Sequence, residues 1–158
     1  MNESADEVEQ AVREAFANVQ RPDRLTQKRD ADVDDMEREL KGKPWAALTI
    51  AELMRHRAAL GMLGADAFRF YLPAYLVASL DHARPGYVED LRESTLFALA
   101  PYLKSQGRDP AREERLRARI ATLDQRQREA VRRYIGFVRG QSPHPKEFSA
   151  LDPKGFWA

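Results

Sequence analysis

Arginine is the residue type in this chain best placed to do chemistry. Two sets recur at helical spacing toward the C-terminal end: Arg108, Arg112, Arg115 and Arg119, then Arg128, Arg132 and Arg139. Residues three, four or seven apart share one face of a helix, so each set predicts a stripe. A guanidinium is a planar fork of five N–H donors that suits phosphate and carboxylate oxygens. The stripes therefore point to a nucleic-acid surface, to a charged face for another partner, or to pairing inside the fold. The charge distribution suits pairing inside the fold and equally two faces of opposite sign turned to partners. Residues 1–40 hold twelve acids and six bases, whereas residues 104–139 hold five acids and eleven bases. Glu113, Glu114 and Glu129 dilute the basic field, and the sequence pI of 8.0 is modest for a nucleic-acid binder.

Other chemistries find less support. Acids cluster at Asp32, Asp34, Asp35, Glu37 and Glu39, and again at Glu89, Asp90 and Glu93. The first cluster lacks the central glycine and closing glutamate of a calcium loop. Acids near a helix start also favour its dipole without further purpose. The three histidines, His56, His82 and His144, stand at no metal-ligand spacing. His56 lies between Arg55 and Arg57 and reads as a helix-surface residue. The chain contains no cysteine, which removes thiolate catalysis, thiolate metal sites and disulfides and suits a reducing cytoplasm. No Gly-x-Gly-x-x-Gly or Walker pattern offers a phosphate cradle. The residues thus predict no catalytic, cofactor-binding or metal-ligating set.

The elements that must carry these residues read as helices. Ser4 and Glu7 form a capping-box pattern ahead of Val8, Ala11, Val12, Ala15, Phe16 and Val19, predicting a helix that ends before Pro22. A short acidic helix follows at about 32–41. Thr49 and Glu52 open another that continues through Leu60. A helix over about 86–99 turns Val88, Leu91, Thr95 and Leu99 inward. Asp109 caps the next, with Pro110 at its first position. Thr122 and Gln125 cap the last, which Gly140 ends. No stretch alternates apolar and polar residues in strand fashion.

Between these lies "AFRFYLPAYLVASL", residues 67–80, apolar on nearly every side. A helix of that kind must be surrounded. At about 1.5 Å per residue it is too short for a bilayer, and no uncharged apolar run in the chain is long enough to span one. Pro73 removes one amide bond and kinks or splits the helix. The segment reads as the centre of a core, with a pocket lined by Tyr71 and Tyr75 as the alternative.

"KPWAAL", "AFRFYLPAYLVASL" and "ATLDQRQREAVRRYIGFV", in that order, resemble a family of small bacterial proteins of unknown function. That family is marked by a Trp-x-x-Leu segment, a Phe-x-x-x-Leu-Pro-Ala-Tyr-Leu helix and a closing Ala-Val helix. The resemblance covers about residues 8–139 and leaves out the segment after Gly140. Some relatives carry Cys or His before the tryptophan. Here "KRDADVDDMERELKG" has neither, so the resemblance implies no metal. It implies a fold and leaves activity open.

The sequence therefore predicts an all-α, single-domain bundle of about six to seven helices around a central apolar, proline-kinked helix. Residues 1–140 form the helical domain. Residues 141–158 form an irregular, proline-containing tail, too apolar at Phe148, Leu151, Phe156 and Trp157 for a free solvated end, and docked on the domain. The expected function is that of a non-catalytic protein-binding module: a regulator, an adaptor or a toxin-neutralising partner. A nucleic-acid-associated protein and an enzyme with an unrecognised site are the alternatives. The candidate partner-binding residues are Arg112, Arg115, Arg119, Arg128, Arg132, Arg139, Phe156 and Trp157. The expected partner is a protein, with nucleic acid second and no membrane, and the chain itself a monomer or small homo-oligomer.

Overall fold

The computed structural model describes residues 3–25, 30–101, 107, 109–143 and 156–157. Among these residues the chain forms seven α-helices: α1 (Ala5–Ala15), α2 (Ala31–Leu40), α3 (Ile50–Arg55), α4 (Ala65–Ala78), α5 (Glu89–Leu99), α6 (Pro110–Ala121) and α7 (Gln125–Gln141). Two 3-10 turns, Trp45–Ala47 and Ala59–Met62, flank α3. The fold is the expected all-α bundle.

The central helix is α4, which contacts α1, α3, α5, α6 and both 3-10 turns. Ala67, Phe68 and every residue from Phe70 to Leu76 are buried on it. Pro73 lies within the helix and does not split it. The lost amide bond is offset by packing on most sides, which tertiary context supplies and an isolated helix lacks. Around it α1 and α7 run together, with Val8 and Val12 of α1 and Val131, Tyr134, Ile135 and Val138 of α7 buried.

Helix ends follow from local chemistry. Ser4 and Glu7 close the capping box of α1 through both reciprocal bonds. The helix stops at Ala15, earlier than the apolar spacing predicts. Its last carbonyls are taken by side chains: Gln127 Nε2 donates to Ala15 O at 3.0 Å and Trp45 Nε1 to Phe16 O at 3.4 Å. Thr49 and Glu52 cap α3 as expected, but α3 ends at Arg55 rather than continuing through Leu60. His56 turns inward there, and its carbonyl accepts the Tyr75 hydroxyl at 2.7 Å. The fifth helix begins at Glu89, because Gly86 at φ 81° turns the chain through the left-handed region first. Asp109 caps α6 with Pro110 in its first turn. The cap of α7 is Asp124 with Gln127, not Thr122 with Gln125, and the helix runs through Gly140 to Gln141.

Arg92 is a charged side chain built into the core. Arg92 is buried, and its Nε donates to Ser79 O at 2.9 Å. Its Nη2 reaches Leu80 O at 2.6 Å and Gln141 Oε1 at 2.7 Å. It thereby satisfies the carbonyls just past the end of α4 and ties them to the end of α7.

Candidate functional site: an arginine-rimmed apolar groove

The helical repeat puts Arg112, Arg115 and Arg119 on one face of α6. This face and the outer face of α5 enclose a groove of about 460 Å³ with the 3-10 turn Ala59–Met62. Ala58, Ala98 and Leu116 contribute apolar lining, and Arg57 and Glu93 add charge. Met62 at 45% and Phe97 at 49% exposure are the large apolar side chains left in solvent among the described residues. Both line this groove. Phe97 is exposed because it lies across α5 from the inward stripe of Leu91, Thr95 and Leu99.

Two of the three arginines are fixed in place. Arg112 lies over the Phe97 ring, 4.1 Å from its centroid. Its Nε donates to Ala100 O at 3.0 Å and its Nη2 to Phe97 O. Arg119 Nε and Nη2 donate to Leu63 O at 3.2 and 2.9 Å, and Nη2 also reaches Gly61 O at 2.7 Å. The two guanidiniums thus cap the end of α5 and the 3-10 turn. Burial lowers the pKa of both below the ordinary arginine value, and the positive charge of Arg115 adds to that shift in each. Arg115 is exposed and bonds to none of the described residues. Arg57 donates to Met54 O at 3.0 Å within its own segment. The lining thus carries four guanidiniums and one carboxylate, Glu93.

The other candidates lie elsewhere. Arg128, Arg132 and Arg139 are on α7 and line no part of this groove. Arg132 pairs with Glu129 on its own helix. The α7 arginines that meet the acidic first helix are Arg133, paired with Glu3, and Arg126, 3.8 Å from Glu14. Arg84 also serves α1, at 2.9 Å from Asp6 and 2.8 Å from Glu9. Trp157 is buried, with Nε1 donating to Leu99 O at 3.1 Å. Phe156 is half-buried beneath the Arg117 guanidinium, 4.5 Å from its ring centroid. Arg108, His144, Phe148 and Leu151 lie outside the described residues.

Tyr71 and Tyr75 are both fully buried and line none of the three grooves described. The Tyr71 hydroxyl accepts from Arg21 Nε at 3.0 Å, and the Tyr75 hydroxyl is spent on His56 O. Burial, followed by the neighbouring Tyr71, pushes the Tyr75 pKa up. His56 is itself buried, contrary to the surface position that the sequence suggests, with Nε2 2.7 Å from Glu39 Oε2. Among the described residues, no three His, Asp or Glu side chains group to hold a metal ion.

Two other clefts are visible. One of about 870 Å³ runs along α1 and α7 between Glu3, Glu7 and Glu14 and the arginines 126 and 133. Its opposed charges already pair across it. The other, of about 220 Å³, lies beside Trp45, Ile50 and Arg84.

An all-α bundle with an exposed, arginine-rimmed apolar groove defines the class. Residues 4–158 match the model of a family of unknown function, DUF6714, and the chain belongs to that family. The match includes the segment after Gly140, which the motif pattern leaves out. No curated protein and no solved structure matches the chain. No helix among the described residues is long and apolar enough to cross a membrane.

Proposed function

We propose that the protein is a non-catalytic protein-binding module of the regulator, adaptor or toxin-neutralising kind, and that the α5–α6 groove is its partner site. The observation that carries this reading is the exposure of Phe97 and Met62 together in one concave, apolar-lined groove. Exposed large apolar side chains clustered in a groove are typical of interaction sites, and aromatic residues and arginine dominate binding energy at protein interfaces. Among the described residues its titratable groups are arginines and one exposed glutamate, which supply no nucleophile–base pair. A bacterial, cytoplasmic setting belongs to the same proposal and rests on the motif resemblance and the cysteine-free chain.

A photo-reactive benzoylphenylalanine at position 97 tests the reading in source cells. It should crosslink a protein, insensitive to nuclease, and the Phe97→Asp/Met62→Asp double variant should lose that protein on co-purification without a change in melting temperature. Crosslinks to nucleic acid alone, or undiminished co-purification by the double variant, would overturn it.

A further inference from the structure

We infer that the occupant of the α5–α6 groove is an acidic polypeptide segment bearing an apolar anchor flanked by carboxylates. This rests on the reading of the groove as a partner site and adds the chemistry of the partner.

The argument is one of charge complementarity around an apolar floor. Four guanidiniums, those of Arg57, Arg112, Arg115 and Arg119, face one carboxylate, Glu93. None of the four has a carboxylate partner within salt-bridge distance among the described residues, although ion pairs serve Arg13, Arg38, Arg84, Arg117, Arg126, Arg132 and Arg133 elsewhere. Arg112 and Arg119 point the same way. Their bonds go to neutral carbonyls, which occupy Nε and Nη2 and supply no counter-charge; the Asp109 carboxylate near Arg112 bonds the α6 backbone as its cap and makes no salt bridge to either arginine. Their Nη1 groups make no bond to the described residues. Because those carbonyls hold them in place, they are preorganised, and an incoming carboxylate meets a fixed fork at little further cost in side-chain entropy.

Phe97 and Met62 provide the apolar half. An apolar anchor laid against them would exclude water from the arginine contacts and strengthen those contacts in turn. The spacing is also specified. Arg112 and Arg119 are seven residues apart on one helix face, about 10 Å at 1.5 Å per residue. An extended segment covers that distance in about three residues at 3.3 Å each. Carboxylates about three residues apart, with the anchor between them, therefore match the rim. A nucleic acid fits less well, since Arg112 already covers one face of the Phe97 ring, where a base would stack, and Glu93 would repel phosphate.

Fluorescence anisotropy on the full-length protein tests the inference with synthetic peptides. The first carries a phenylalanine between two glutamates. The second replaces each glutamate by glutamine, the third replaces the phenylalanine by serine, and a single-stranded oligonucleotide serves as a polyanion. Rim ion pairs change affinity by about two- to fivefold each, so the first peptide should bind about tenfold more tightly than the second. That margin should shrink in high salt and in Arg115→Glu, and binding should be lost in Phe97→Asp. Melting curves on both variants confirm that they remain folded. Equal binding of the glutamate and glutamine peptides overturns the inference and leaves the groove as an apolar docking site, whereas failure of the position-97 crosslink removes the site itself. The inference also falls if no peptide binds, if the oligonucleotide alone binds, or if sedimentation shows a dimer that Phe97→Asp dissolves. In that last case the occupant is a second copy of this chain.

Discussion

Replacing Trp157 by alanine tests whether the end of the chain contributes to stability. Trp157 is fully buried and its indole N–H donates to Leu99 O at the end of α5. Its neighbour Phe156 lies under the Arg117 guanidinium. Burying the ring contributes about 1.5–3 kcal/mol, the hydrogen bond about 1, and the cation–π contact about 0.5–1. Gross stabilisation is therefore about 3–5 kcal/mol. Ordering the two anchored residues costs about 1–2 kcal/mol each. The midpoints, about 4 kcal/mol against about 3, leave a net of about 1 kcal/mol, less than the roughly 3–5 kcal/mol typical of a large aromatic truncated in a core. The difference arises because the described contact rests on Phe156 and Trp157 alone, so its loss is capped by the docking energy of those two residues. Urea titrations followed by far-ultraviolet circular dichroism should show a lower midpoint, with a fall in melting temperature of about 2–8 °C. Trp157→Phe, which keeps most of the packing and loses the N–H, should cost about 1 kcal/mol. An unchanged midpoint in Trp157→Ala would refute the reasoning, since the buried indole would then stabilise nothing.

Four further outcomes follow from the same structure. Leu72→Ala and Leu76→Ala, both fully buried on α4, should each cost about 2–5 kcal/mol in denaturant titrations through lost packing and the cavity left behind. The triple reversal Arg128→Glu/Arg132→Glu/Arg139→Glu should leave the melting temperature nearly unchanged, because among the described residues Arg132 pairs only with Glu129 along its own helix and Arg128 and Arg139 form no bond. Arg133→Glu should destabilise measurably and in a salt-sensitive way, by about 1 kcal/mol or less, because it faces Glu3 across the α1–α7 contact. Lys43, with help from Thr49, holds the Glu52 carboxyl at about 2, below its ordinary 4.5. A lowered folded-state pKa stabilises above the unfolded value, and that stabilisation is lost as pH falls from about 4.5 toward 2. Glu52→Gln should therefore flatten the decline of urea midpoints through that window.

Much of the fold is legible in the residues because most helix starts are local events. Ser4 with Glu7, Thr49 with Glu52, and Asp109 with Pro110 each specify a cap within four residues, and the structure contains all three. Helix ends are legible only where they are local too. The last turn of α1 is closed by Gln127 and Trp45, far away in sequence, so apolar spacing alone carried that helix too far. His56 shows the same limit. Its flanking arginines suggest solvent, but α3 stops beside it and its ring is drawn in toward Glu39, seventeen positions away.

The groove was harder to see for a related reason. Phe97 had one local signal, an aromatic residue out of phase with the inward stripe of its own helix. Met62 and Arg57 had none, because only the turn after α3 brings them to α6. The arginine stripes were visible, yet residue type could not separate their uses. Arg112 and Arg119 spend their Nε and Nη2 donors on the carbonyl ends of α5 and a 3-10 turn, Arg133 pairs with Glu3 ahead of α1, and Arg115 stands free of the described residues. A guanidinium at a helix end satisfies orphan carbonyls without losing its charge. A carbonyl cap, unlike an ion pair, leaves a net positive site behind. The residues that close the end of α5 therefore also set the sign of the groove beside it. In this fold, the side chain that holds that helix end, Arg112, is also the one that the proposed acidic partner would meet.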